Sequence, residues 1–78
     1  MIINGREYLF QFASDIVRNG LGLECYTTDG STSTVHLEVF RNDSKECFTY
    51  TQWTPDLPLE LIEHVISTAR KDLGEFQV

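Results

Sequence analysis

Asn4-Gly5-Arg6-Glu7-Tyr8-Leu9-Phe10-Gln11-Phe12-Ala13-Ser14-Asp15-Ile16-Val17-Arg18-Asn19-Gly20 is the stretch on which the fold turns. Two periods coexist in it. Tyr8, Leu9, Phe12, Ala13, Ile16 and Val17 make one apolar stripe at a helical repeat. Tyr8, Phe10 and Phe12 alternate, as a strand would. The ends favour the helix. Asn4 and Glu7 have capping-box spacing, and Ile3 and Tyr8 stand at the positions of a hydrophobic staple. Asn19-Gly20 supplies a left-handed stop, with Arg18 in the last turn. Cap, stripe and stop agree, so the reading is a helix over about residues 5–19, with a strand over Tyr8–Phe12 as the competitor.

Three strands are expected next. Over 21–28, Leu21, Leu23 and Cys25 alternate with Gly22, Glu24 and Tyr26. Over 33–41, Val35, Leu37 and Val39 alternate with His36, Glu38 and Phe40. The third, over 47–53, is rich in threonine and aromatics. Turn clusters at Asp29-Gly30-Ser31 and Asn42-Asp43-Ser44 make the three an antiparallel meander. Parity then sets the register. A three-residue loop at Asp29–Ser31 pairs Leu21 with Val39, Leu23 with Leu37 and Cys25 with Val35, all on one buried face. A two-residue loop would put Val35 opposite Glu24 and spoil both faces. A four-residue loop at Asp43–Glu46 buries Phe48 and Tyr50, which is preferred to burying threonines.

A second helix is expected over about 58–73. Pro58 suits its first turn. Leu61, Ile62, Val65, Ile66, Ala69 and Leu73 form its stripe, and Arg70, Lys71 and Gly74 mark its end. Glu75–Val78 reads as a frayed tail. The predicted fold is therefore α+β: a single domain over 1–78, a two-layer sandwich of order α-β-β-β-α, with both helices on one face of the meander.

Composition narrows the function. Twelve acidic and six basic residues give a net charge of −6, with no basic stripe to displace counterions from nucleic acid. Direct nucleic-acid binding and a membrane partner are not expected. A helix–three strands–helix order also occurs in double-stranded-RNA-binding domains, which hold phosphates with lysines at the start of the last helix. Here that position is the acidic Asp56-Leu57-Pro58-Leu59-Glu60. No apolar run reaches the length of a membrane span, and no secretory signal opens the chain. Cys25 and Cys47 lack the spacing of a metal or redox motif and would lie roughly 10 Å apart, too far for a bridge. A reducing, cytoplasmic setting follows.

No nucleophile, phosphate-loop or zinc-protease motif is present, so no catalytic residue, metal or cofactor is assigned. His64, beside Glu60 and Glu63, reads as a solvated helix histidine. With the register above, the outer sheet face carries Glu24 opposite His36, and His36 opposite Trp53, with Tyr26 and Phe40 beside them. These five are the candidate partner-binding residues, since aromatics are enriched in interfaces; ordinary cross-strand stabilisation is the plainer reading. The expected function is a small, acidic, non-catalytic protein–protein interaction module, of adaptor, inhibitor or immunity-like type. It would bind another protein or associate as a homodimer through the open sheet face or the third strand's edge. The alternatives are an acidic nucleic-acid mimic and a small-ligand-binding domain.

Overall fold

The computed structural model describes residues 1–74; the tail expected at Glu75–Val78 lies outside them. A small hairpin comes first, formed by β1 (Ile2–Ile3) and β2 (Arg6–Glu7). Four longer strands follow: β3 (Leu9–Asp15), β4 (Gly20–Asp29), β5 (Thr32–Asn42) and β6 (Cys47–Gln52). The chain then enters α1 (Leu59–Asp72). Strands β3 to β6 form one antiparallel sheet in chain order, with α1 packed on one face.

The expected α-β-β-β-α order is thus corrected: residues 4–20 hold no helix, and the meander has four strands instead of three. The backbone at the supposed cap explains why. Asn4 and Gly5 both adopt positive φ, 51° and 78°, and Ile3 pairs with Arg6 across them. That is the Asn-Gly hairpin turn, whose twist matches its strands. A right-handed helix cannot start through it.

Beyond the turn, Leu9–Asp15 pairs residue for residue with β4, from Leu9↔Tyr26 to Asp15↔Gly20. A lone helix of that length is marginal in water. As a strand the segment converts β4 from a sheet edge into an interior strand and sets Phe10 and Phe12 beside Cys25 and Leu23.

On α1, Leu61, Val65, Ala69 and Leu73 fall every four residues and form its buried stripe. They pack on Leu23, Cys25, Leu37 and Val39 of the sheet, while Ile3 and Tyr8 close one end of the core. Pro58 precedes the helix and accepts the N–H groups of Leu61 and Ile62 through its carbonyl. Arg41 Nη1 donates to the Leu73 carbonyl at 2.6 Å, holding the other end. No helix among the described residues is long and apolar enough to cross a membrane.

Register differs from expectation by a compensated pair of changes. The β4–β5 turn has two residues, Gly30 and Ser31, between Asp29↔Thr32. Alone it would throw the leucines onto opposite faces. A bulge opposite Cys25/Tyr26 inserts His36 as one extra residue on β5 and restores the parity. The pairs become Leu23↔Val39 and Cys25↔Leu37, and Val35 faces Tyr26 instead of Cys25. The four-residue loop Asp43–Glu46 leads Phe48 and Tyr50 onto the helix side, opposite Arg41 and Val39.

Candidate functional site

The five candidate residues do not form one patch. Glu24 and Tyr26 are half-buried on the face away from α1. Gln11 Nε2 donates to Glu24 Oε1 at 2.7 Å. Phe40 lies on that same face but is buried, with the Arg18 guanidinium 3.8 Å above its ring. Trp53 is exposed just past the end of β6. His36 is turned to the core side by the bulge, where its ring meets Tyr8 edge-on at 6.1 Å.

His36 is a buried junction. Its Nε2 lies 2.7 Å from Thr27 Oγ1 and its Nδ1 2.7 Å from Thr54 Oγ1. Arg6 Nη2 donates to the same Thr27 oxygen at 2.9 Å. The His36 carbonyl accepts the N–H groups of Trp53 and Thr54. One imidazole therefore ties the N-terminal hairpin, β4 and the segment leading to α1. Burial, and secondarily the Arg6 charge, lower its pKa below the ordinary 6.5.

The unfolded chain thus takes up a proton near pH 6.5 that the folded chain resists. Stability is full above that pH and falls as pH drops through 6.5 toward the folded value. We expect the thermal midpoint to be lower at pH 5.5 than at pH 7.5. His36→Gln should flatten that dependence, and an unchanged slope in the variant would assign it elsewhere.

Cys25 is fully buried, and burial pushes its thiol up to about 11. Cys47 is half-buried at the start of β6, and both cysteines are free. Among the described residues no group of three or more His, Cys, Asp and Glu side chains could hold a metal.

The most unusual surface lies at the tip of the β3–β4 hairpin. Ile16 and Val17 are 94% and 96% exposed. Their loop is nevertheless firmly held. Arg18 donates from its backbone N–H to Asp15 Oδ1 at 3.0 Å and from Nε to Asp15 Oδ2 at 2.6 Å. Its two terminal nitrogens grip Glu38 at 2.9 and 3.0 Å. Those contacts hold the Arg18 pKa above its ordinary value, and the Arg18 backbone and side-chain hydrogen bonds lower that of Asp15. Glycine makes the arrangement fit. A Cβ on Gly20 would stand 2.0 Å from the Arg41 carbonyl oxygen and 2.7 Å from the Phe40 ring. One on Gly22 would stand 2.7 Å from Glu38 Oε2. The Phe40 ring and the Glu38 carboxylate occupy the space two side chains would have filled.

A second loop in the same molecule shows what this turn requires. Asp43–Glu46, between β5 and β6, repeats the geometry. Asn42 Oδ1 accepts the Lys45 N–H at 2.9 Å, as Asp15 accepts that of Arg18. Glu46 has φ 52° where Asn19 has φ 56°. The loops touch: Asn19 Nδ2 donates to Ser44 Oγ at 3.0 Å, and the Asp43 N–H to the Asn19 carbonyl at 2.9 Å. At the two positions where one loop has Ile16 and Val17, the other has Asp43 and Ser44. Turn geometry therefore makes no demand for apolar side chains there.

Sequence reading missed Ile16 and Val17 because they completed a helical stripe. The available signal was the likeness of Asp15-Ile16-Val17-Arg18-Asn19 to Asn42-Asp43-Ser44-Lys45-Glu46, each an acceptor side chain three residues before the N–H it caps. Comparison of the chain with protein-family models, with curated proteins and with solved structures found no match.

Proposed function

We propose that the protein is a small, acidic, non-catalytic interaction module of adaptor or inhibitor type, acting in the cytoplasm, and that it inserts the Ile16–Val17 tip into an apolar pocket of another protein. One observation carries this reading: two nearly fully exposed β-branched residues stand on a braced turn whose twin holds aspartate and serine at the same positions. Exposing them opposes solubility and adds nothing to the core. A rigid apolar prong does suit recognition, because little freedom is lost when it docks. A few anchor residues carry most of the energy of an interface. The two free cysteines support the cytoplasmic placement.

The test exchanges the tip for its twin. The variant Ile16→Asp, Val17→Ser is expected to keep wild-type stability within about 0.5 kcal/mol, as surface substitutions do. A partner captured by the wild-type chain from its native host should be lost from the variant, with affinity down at least about 100-fold for two anchors of roughly 2 kcal/mol each. The same partners retained by both chains at equal affinity would sink the reading.

A further inference from the structure

We propose that two copies of this chain associate through the β6 edge, about a two-fold axis passing through Tyr50, so that their two sheets join into one. This surface is separate from the hairpin tip, and either reading can fail without the other.

Strand β6 is the last strand of the sheet order β3-β4-β5-β6 among the described residues. Among the described residues it carries no charged side chain, proline or bulge to keep the edge from pairing. Cys47 to Pro55 contains no charged residue, and no proline falls within the strand. Its ladder with β5 runs from Asn42↔Cys47 to Leu37↔Gln52 without a bulge.

The ladder also fixes which main-chain groups look outward. The Trp53 N–H donates to the His36 carbonyl, so residues 53, 51 and 49 turn their N–H and C=O toward β5. Alternate residues of an antiparallel strand face opposite edges. The main-chain groups of Tyr50 and Gln52 therefore point away from the sheet.

Self-pairing uses those groups in one natural register. With Tyr50 opposite its own copy, the bonded positions of the two strands meet. Side chains then match on both faces. Tyr50 meets Tyr50 on the helix side, and Thr49 meets Thr51 of the second copy on the other. Aromatic pairs and threonine pairs are both favourable across strands.

The apolar surface beside the strand supports the same occupant. Val39, Phe48, Tyr50 and Ile66, with Thr49 and Arg70, line an open cleft of about 190 Å³ between β6 and α1. At its rim Tyr50 is 44% and Ile66 39% exposed. Two copies of a chain of net charge −6 repel each other. They can approach closely only where carboxylates are absent, and the β6 edge meets that condition. The other edge, β3, ends beside a depression lined by Asp15 and Asp43, where two copies would bring acids together.

Sedimentation equilibrium and light scattering across a concentration series test the proposal. The wild type is expected at twice the 9.0 kDa chain mass. Tyr50→Lys places like charges on the axis and is expected to be a monomer with an unchanged circular dichroism spectrum. Thr49→Lys with Thr51→Glu places opposite charges across the junction in this register and is expected to remain a dimer. Should Tyr50→Lys fail to fold, Tyr50→Cys in a Cys47→Ser background gives the answer, because if position 50 meets itself mild oxidation of dilute protein yields a covalent dimer much faster than it does with Thr49→Cys in the same background. A wild-type monomer at every concentration, a dimer that persists in folded Tyr50→Lys, dissociation by Phe12→Lys on β3, or a covalent dimer that forms no faster from Tyr50→Cys than from Thr49→Cys would each overturn the proposal.

Discussion

Leu61→Ala is expected to lower stability by about 3–5 kcal/mol and to leave little folded protein at physiological temperature. Leu61 is fully buried in the first turns of α1, against the sheet core. The substitution removes three buried carbons and leaves a cavity in a close-packed layer. A chain of 78 residues has a thin margin, because a small domain buries a smaller share of its surface. The helix start offers no compensation: Pro58 makes no side-chain cap bond, so packing must hold the first turn in place. Leu59→Ala is the control. Leu59 is on the same helix but 70% exposed, so its loss should cost less than about 0.5 kcal/mol. Urea unfolding followed by circular dichroism measures both. Equal effects of the two substitutions would mean that α1 does not hold the core as described.

This helix was legible in the sequence because every local signal agreed and no other period competed. Proline before the start, apolar residues at 61, 65, 69 and 73, and Arg70-Lys71 before Gly74 all specify one element. The N-terminal segment differs because both periods are written into the same residues. What decides between them is distant in sequence: the open side of β4, which only a strand can cover. The local clue was Asn4-Gly5, whose two positive φ angles belong to a hairpin and not to a helix cap. The alternating runs at 21–28 and 33–41 fixed the buried face at Leu23, Cys25, Leu37 and Val39, yet not the pairing. A short turn and a bulge cancelled in parity, and a pattern of period two is blind to such a cancellation.

The same bulge explains why the candidate site was only partly legible. Alternation assigned His36 to the outer face, beside Glu24, Tyr26, Phe40 and Trp53. As the extra residue it turns instead toward Tyr8 and Thr27, and it became a structural junction. Phe40 kept the assigned face but lost its exposure, because Gly20 leaves room for its ring and Arg18 closes over it. That second layer comes from the β3–β4 loop, which a helix over residues 5–19 would have abolished.

Arg18→Met is expected to destabilise the fold by about 2–3 kcal/mol at neutral pH, below the figure for a fully buried pair because Arg18 itself is partly open to water. Glu38 is only 4% exposed, and both of its oxygens are held by Arg18. Without the guanidinium its charge is left buried on the strand position directly opposite Glu24. The Asp15 contribution adds a pH dependence. Its pKa is lowered by Arg18, so the wild type loses that contribution as pH falls through the depressed value. Arg18→Met with Glu38→Leu should recover most of the stability, since a buried pair replaced by apolar groups costs little. Denaturant titrations at pH 7 and pH 3 read the Asp15 contribution, which is whole above the ordinary carboxylate value and lost below it. Partner binding should nonetheless be weaker than wild type in the double variant, although Ile16 and Val17 remain, because the turn keeps its backbone contacts but has lost its side-chain brace and must be further ordered on docking. Full affinity in a restored but unbraced fold would show that exposure of the two aliphatics, and not the rigidity Arg18 gives them, is what a partner uses.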